Sequence, residues 1–150
     1  MASRSGTGAR IVAAAGETVA FLIDADVIIQ AERKALDFDA WLRSQPNEEI
    51  KIASITVAEL WRSVERATGV HRAKRQKFLQ RVLATFDVVP YTERAAAEHA
   101  RIWADVESTG QRMSPFDLML AATARECGAM IVTLNTRRFA AVQGLTVVKP

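Results

Sequence analysis

The chain has 150 residues, of which 49% are hydrophobic and 25% are charged, and it contains only seven Gly and four Pro. These values predict one domain with an ordinary hydrophobic core, and they exclude a disordered chain or a fibrous repeat. The net charge of +3 is compatible with a polyanionic partner without requiring one.

In chain order, short apolar runs alternate with stretches whose apolar residues have helical spacing. This alternation predicts an α/β sandwich around a mostly parallel sheet. Residues 1–18 start with small and polar side chains, so we expect a loose N-terminal extension before a domain over 19–150. The predicted strands are 20–23, 50–55, 88–90, 129–134 and 145–148. The predicted helices pass through 31–33 and span 37–43, 56–68, 72–85, 92–108 and 114–127.

Several helix ends and faces carry specific signals. Thr92 and Ser114 are predicted to cap the helices that they begin, and Gly128 is predicted to stop the helix over 114–127. Thr56 and Glu59 have the spacing of a capping box, and Gly69 is predicted to stop the helix that they open. On the helix over 92–108, the apolar spacing predicts that Trp103 lies on the buried side.

Basic side chains concentrate in the run 71–77 and at Arg81. This strip has two interpretations, a phosphate-facing surface or a solvated helix face. Cys127 is the sole cysteine, which excludes an intramolecular disulfide, and the spacing of His71 and His99 does not suggest a zinc site. With no apolar run near the roughly 20 residues of a membrane span, we expect a cytoplasmic protein without a membrane partner.

Asp24 follows the apolar run 20–23 and precedes further apolar residues. An ionised carboxylate in such surroundings is costly unless it is hydrogen-bonded or paired with a cation. Sites in parallel α/β sheets form at the carboxyl ends of strands, where Asp24, Glu59 and Asp117 are all predicted to lie. An all-oxygen cluster suits Mg²⁺ or Mn²⁺ better than Zn²⁺. The sequence therefore predicts a metal site built from these three acids.

Each acid also has a structural interpretation. Glu59 fits the capping box, and Asp117 fits an acid placed near the positive end of a helix dipole. Asp26 has three interpretations, as a second ligand, as an acceptor that orders the loop, or as a helix cap. For Asp24, the apolar surroundings favour a functional role.

Four segments, taken together and in order, resemble the PIN-domain ribonucleases and, more narrowly, the VapC family of toxin ribonucleases. The first resembles that family's apolar-Asp-Thr-Asn/Ser-apolar opening, and the second resembles its Ser-x-Thr-x-x-Glu-Leu segment. The resemblance covers residues 21–149 and implies a PIN-like three-layer α/β sandwich, with a central mostly parallel sheet flanked by helices. The segments are 21–28, 54–60, 113–124 and 131–139.

The resemblance implies a metal-dependent endoribonuclease in which Asp24, Glu59 and Asp117 are catalytic and hold Mg²⁺ or Mn²⁺. Such a metal ion activates water, orients the scissile phosphate and stabilises developing charge. Thr56 and Thr133 are expected to place hydroxyl groups near the metal water or the phosphate, with helix capping and a strand end as the alternative roles.

The chain departs from the family pattern at two places. Asp26 replaces the more usual Asn or Ser, and the fourth acid of the family is missing both at Asn135 and at Arg138. An amide can ligate a metal without adding charge. The candidate ligands are therefore Asp24, Asp117, Asp26 and Asn135, and our hypothesis is that Asp26 supplies the charge that Asn135 lacks.

The resemblance also implies three partners: an RNA substrate, a VapB-like antitoxin whose C-terminal segment occupies a groove, and a second copy of the chain in a homodimer. Apolar residues of the early helices are candidates for the groove, with core packing as the alternative. They are Trp41, Leu42, Leu60, Trp61 and Val64.

Two other functions compete with a nuclease. A phosphatase of the haloacid dehalogenase type would use Asp24 as nucleophile and Asp26 as general acid, but the sequence after Asp117 lacks the acidic motif that such an enzyme needs. The second alternative is a catalytically impaired PIN module that binds RNA or protein, which Asn135 and Arg138 favour.

Overall fold

The computed structural model describes residues 19–46 and 48–150, so the predicted extension over 1–18 lies outside the described residues. A 3-10 helical turn, Thr136–Phe139, follows the fourth strand. The strands are β1 (Ala20–Ile23), β2 (Glu49–Ala53), β3 (Asp87–Val89), β4 (Met130–Val132) and β5 (Val147–Val148). The α-helices are α1 (Ala25–Glu32), α2 (Phe38–Arg43), α3 (Ser54–Glu65), α4 (Gly69–Thr85), α5 (Glu93–Ser108) and α6 (Pro115–Cys127).

The five strands form one sheet in the order β3-β2-β1-β4-β5, and every pair is parallel. Strand β1 is central, with Leu22 paired to Lys51 on one side and to Ile131 on the other. Because all strands run the same way, their carboxyl ends lie along one edge of the sheet. The predicted α/β class is confirmed.

Helices cover both faces of the sheet, since successive side chains of a strand point to opposite faces. Leu22 enters a core cluster that contains α5 and α6 residues such as Ile102 and Leu120. Phe21 and Ile23 enter the second cluster, which contains buried residues of α1, α2, α3 and α4. The result is the predicted three-layer sandwich.

The start of α3 differs from the prediction. The strand β2 ends at Ala53 and the helix begins at Ser54, so Thr56 lies inside the first turn and does not cap it. Ala53 takes the cap position without a side-chain hydrogen bond, and the predicted capping box is therefore wrong. The error arose because a short apolar run such as 50–55 fits a strand and a helix start equally well.

Two further predictions about helices are wrong. Gly69 does not stop α3, which ends at Glu65; it begins α4 instead, with a φ of 56° that favours glycine. Trp103 is 53% exposed, because the buried face of α5 runs through Ala95, Ile102 and Val106. Among the described residues, no helix combines the length and apolar character needed to cross a membrane.

Candidate active site at the carboxyl edge of the sheet

Asp24 is the first residue after the central strand and the N-cap of α1. The residue is almost fully buried, at 2% exposure. One carboxylate oxygen, Oδ1, accepts a hydrogen bond from the Ala25 amide at 2.8 Å, and the Asp24 amide donates to the Val132 carbonyl at 2.9 Å. The strand and the helix start therefore hold this carboxylate in one place at the edge of the sheet.

The hydroxyl of Thr133, directly after β4, lies between two acids. Thr133 Oγ1 is 2.9 Å from Asp24 Oδ2 and 3.1 Å from Asp26 Oδ2, and the Leu134 amide also donates to Asp26 Oδ2 at 3.1 Å. The other oxygen of Asp26, Oδ1, is buried and has no hydrogen-bond partner within the described residues. Since buried carboxylate oxygens are normally paired, Asp26 Oδ1 is an acceptor available to a cation or a water molecule.

Asp117 reaches the same place from the other side of the sheet. It lies in the first turn of α6, where its amide donates to the capping Ser114 Oγ at 3.1 Å, as the sequence predicted. Arg138, in the 3-10 turn, joins the acids: its Nη1 donates to Asp117 Oδ1 at 3.0 Å and its Nη2 donates to Asp24 Oδ2. Nη2 is also 3.7 Å from Asp26 Oδ2. The guanidinium thus bridges the carboxylates.

Glu59 lies in the second turn of α3 and is partly buried. Burial raises its pKa to about 7, and the charges of Asp24 and Asp117 add to the shift, while Arg138 opposes it. The pKa of Asp24 is raised mainly by burial and secondly by the negative charge of Asp26. Burial also raises the pKa of Asp117. In all three acids burial is the largest cause of the raised pKa, and the charge of Arg138 opposes the rise without cancelling it.

The structure brings together four of the five predicted site residues, namely Asp24, Asp26, Glu59 and Asp117. The fifth, Asn135, is exposed and begins the 3-10 turn; its amide donates to Thr133 Oγ1 at 3.2 Å. The salt bridges of Arg138 were not predicted. The available signal was its position, one of the two at which the family that the sequence resembles commonly has a fourth acid.

The donor set has the chemistry that a divalent cation of the Mg²⁺ type prefers, because it consists of carboxylate oxygens alone. The unpartnered Asp26 Oδ1 is an oxygen that such a cation could bind. Across residues 19–46 and 48–150, no three or more Asp, Glu, His or Cys side chains are already arranged around one ion position. The carboxylate oxygens are therefore suitable ligands for a divalent metal ion. In this structure the positive group that contacts them is the guanidinium of Arg138.

The raised pKa of Glu59 predicts how stability depends on pH. In the folded protein Glu59 keeps its proton up to about pH 7, whereas the ordinary value is 4.5. The folded state therefore holds more protons between these values, and the free energy of unfolding falls as pH rises through this window. Urea unfolding in EDTA at pH steps across the window measures the decline.

The control variants isolate Glu59 from other titrating groups. Glu59→Gln is expected to flatten the decline, while Glu107→Gln, at an exposed position of α5, is expected to retain it. A decline of the same size in Glu59→Gln would contradict the assignment.

The sequence model of the PIN domain family matches residues 21–145 of the chain. The tRNA(fMet)-specific endonuclease VapC of Shigella flexneri is 38% identical over 96 residues, which cover 63% of this chain and 70% of that protein.

Two solved structures have the same fold. VapBC2 of Rickettsia felis, bound to a promoter DNA fragment, superimposes with a TM-score of 0.81 at 20% identity, over 88% of this chain and 99% of that chain. VapBC-5 of Mycobacterium tuberculosis, a member of the VapBC family of toxin-antitoxin systems, superimposes with a TM-score of 0.70 at 26% identity. The superposition covers 88% of this chain and 99% of that chain.

Proposed function

Since the chain belongs to the PIN domain family, and within it to the VapC ribonucleases, we propose that it is an endoribonuclease toxin that hydrolyses RNA phosphodiester bonds. The observation that carries the proposal is the convergence of Asp24, Asp26, Glu59 and Asp117 at the carboxyl edge of the sheet. Divalent-metal dependence is a general property of PIN-domain nucleases.

We propose Mg²⁺ or Mn²⁺ as the cofactor, held by Asp24, Asp26 and Asp117 with Glu59 beside them. When bound, such an ion supplies positive charge to the scissile phosphate and favours ionisation of the attacking water. The protein's own contribution is to hold the acids in place: Thr133 and the Ala25 amide orient Asp24. Glu59 loses its proton near neutral pH, which suits a general base.

A cavity of about 360 Å³ lies beside the acids and shares Glu59 with them. Its lining combines apolar Ile55, the guanidinium groups of Arg62 and Arg66, and the ring of Phe116, which is 49% exposed. Single-stranded nucleic acids bind to such a combination, because bases stack on aromatic rings and phosphates pair with Arg. The cavity supports RNA as the substrate and suits a nucleotide next to the scissile phosphate.

Replacing Phe116 with Ala is expected to weaken binding of single-stranded RNA by about 1–3 kcal/mol, the usual contribution of one stacked base. Fluorescence anisotropy of a labelled RNA, measured in an Asp24→Asn background, gives the affinity without cleavage. Trp103→Ala is the matched control, since Trp103 is an exposed aromatic residue that does not line this cavity. Equal losses in both variants would show that the Phe116 ring does not bind a base.

The decisive experiment is cleavage of a total RNA pool by the full chain, with Mg²⁺ or Mn²⁺ and with EDTA in parallel. The proposal predicts discrete fragments with either ion and none in EDTA. Absence of cleavage with both ions, or equal cleavage in EDTA, would contradict it.

A second candidate function is a PIN module that binds RNA without cutting it. Arg138 favours this function, because its guanidinium already contacts the acids that a catalytic cation needs. RNA binding without cleavage in the same experiment would identify the module. The haloacid dehalogenase alternative is not supported, since the chain matches the PIN domain over 21–145.

We further propose a VapB-like antitoxin as partner, in line with the VapBC structures that share the fold. A groove of about 580 Å³ between α1, α2 and α4 is the candidate site, with Leu36, Leu42, Phe78 and Phe86 among its apolar lining residues. Of the other predicted groove residues, Leu60 and Val64 are buried in the core, and Trp41 and Trp61 pack against it. Homodimerisation and a cytoplasmic location remain expectations.

A further inference from the structure

Arg138 contacts three acids of the candidate site. Its two terminal nitrogens contact Asp24 and Asp117, one of them also lies 3.7 Å from Asp26, and Nη2 is 3.2 Å from Thr133 Oγ1. Within the described residues, these three acids form salt bridges with no other side chain.

The contacted atoms are the ones a metal ion would use. Asp24 Oδ1 already accepts a hydrogen bond from the Ala25 amide, so Oδ2 is the oxygen that faces the other acids. Arg138 Nη2 donates a hydrogen bond to this Oδ2. Asp117 Oδ1 is taken by Nη1. A guanidinium cannot lose its charge in a protein, and a divalent cation beside it would be repelled. The two cations therefore exclude each other.

The Arg138 side chain is more exposed to solvent than the Asp24 carboxylate that it contacts. Its side chain is 32% exposed, and it projects from a short 3-10 turn with the flexible three-carbon stem of arginine. By contrast, the Asp24 side chain is only 3% exposed and held between a strand and a helix. A metal ion that bound these acids would therefore displace the guanidinium toward solvent and leave the carboxylates where they are.

We propose that Arg138 is a built-in counter-ion that competes with the divalent cation for Asp24 and Asp117 and thereby sets the metal affinity of the site. The proposal rests on the proposed function only in requiring that these acids bind a divalent ion. It explains how Asp24, Asp26 and Asp117 stay together without metal. It also predicts that this chain needs a higher divalent-ion concentration to fill the site than a variant that lacks the Arg138 charge.

The experiment measures Mn²⁺ binding to the full chain by titration calorimetry, without RNA. Arg138→Gln is expected to lower the dissociation constant at least about tenfold, since a charge within 4–6 Å shifts proton binding to an acid by that factor or more. Arg138→Lys keeps the charge and is expected to fall between wild type and Arg138→Gln. Arg137→Gln, at the exposed neighbouring position, removes the same net charge and is expected to match wild type.

Thermal unfolding supplies a second readout. In EDTA, Arg138→Gln is expected to melt below wild type because the acids lose their counter-ion. Saturating Mn²⁺ is expected to raise its Tm by more than that of wild type, because a tighter ligand stabilises the folded state more. Equal Mn²⁺-induced shifts in the two proteins would count against the proposal.

The outcomes separate this inference from the proposed function. If wild type binds Mn²⁺, Asp24→Asn does not, and Arg138→Gln binds no more tightly than wild type, the counter-ion role is overturned and the nuclease proposal stands. If no variant binds Mn²⁺, both are overturned. Should Arg138→Gln fail to fold in EDTA, Arg138→Lys decides the question, because an affinity equal to or below that of wild type would overturn the counter-ion role.

Discussion

Asp24→Asn is expected to reduce divalent-dependent RNA cleavage at least about 100-fold, the upper end of the loss seen when an outer-shell partner of a metal ligand is removed. Asn has the same shape and keeps a side-chain oxygen that can accept a hydrogen bond from the Ala25 amide. What it lacks is the buried charge at the centre of the cluster. The expected result is therefore loss of metal binding and cleavage in a protein that still folds.

Stability measurements distinguish a lost ligand from a lost fold. Burial raises the pKa of Asp24, so ionised Asp24 is destabilised by its surroundings. Its neutral replacement is expected to leave the free energy of unfolding in EDTA near the wild-type value. Asp105→Asn, at an exposed position of α5, is the matched control and should cleave RNA normally. Full cleavage by Asp24→Asn would contradict the assigned site.

Leu22→Ala is expected to lower the free energy of unfolding by about 2–5 kcal/mol, the usual range for a buried Leu truncated to Ala. Leu22 is fully buried in the central strand, between β2 and β4, and packs in the cluster that contains α5 and α6. The truncation leaves a cavity that the sheet cannot close. Urea unfolding at fixed pH measures the loss.

The matched control is Val88→Ala on the edge strand β3, where the side chain is 42% exposed. Its expected effect is within about 0.5 kcal/mol, as for most surface substitutions. At a temperature where Leu22→Ala stays folded, its Mn²⁺ affinity is expected to equal that of wild type, because Leu22 is an apolar core residue and supplies no oxygen to the site. A loss of less than about 1 kcal/mol in Leu22→Ala would contradict the assigned central position of β1.

Local signals predicted the elements that depend on nearby residues. Thr92 and Ser114 cap α5 and α6, and Gly128 ends α6 in the left-handed conformation. These features involve contacts within about four residues, so their pattern is visible in the chain. The predicted capping box at Thr56 is wrong because the apolar run 50–55 does not show where β2 ends; in the structure α3 begins at Ser54, whose Oγ donates to the Val89 carbonyl.

The sequence by itself determined the α/β class, the buried strand over 20–23 and the candidate acids, because apolar runs and a carboxylate among them are local properties. Only the tertiary structure decided that Arg138 lies among those acids, 114 residues from Asp24. A salt bridge over that separation depends on the pairing of β1 with β4 and on the turn after β4. Neither the strand order nor the direction of a long side chain is encoded by spacing, so the cation of this site became visible only in the folded chain.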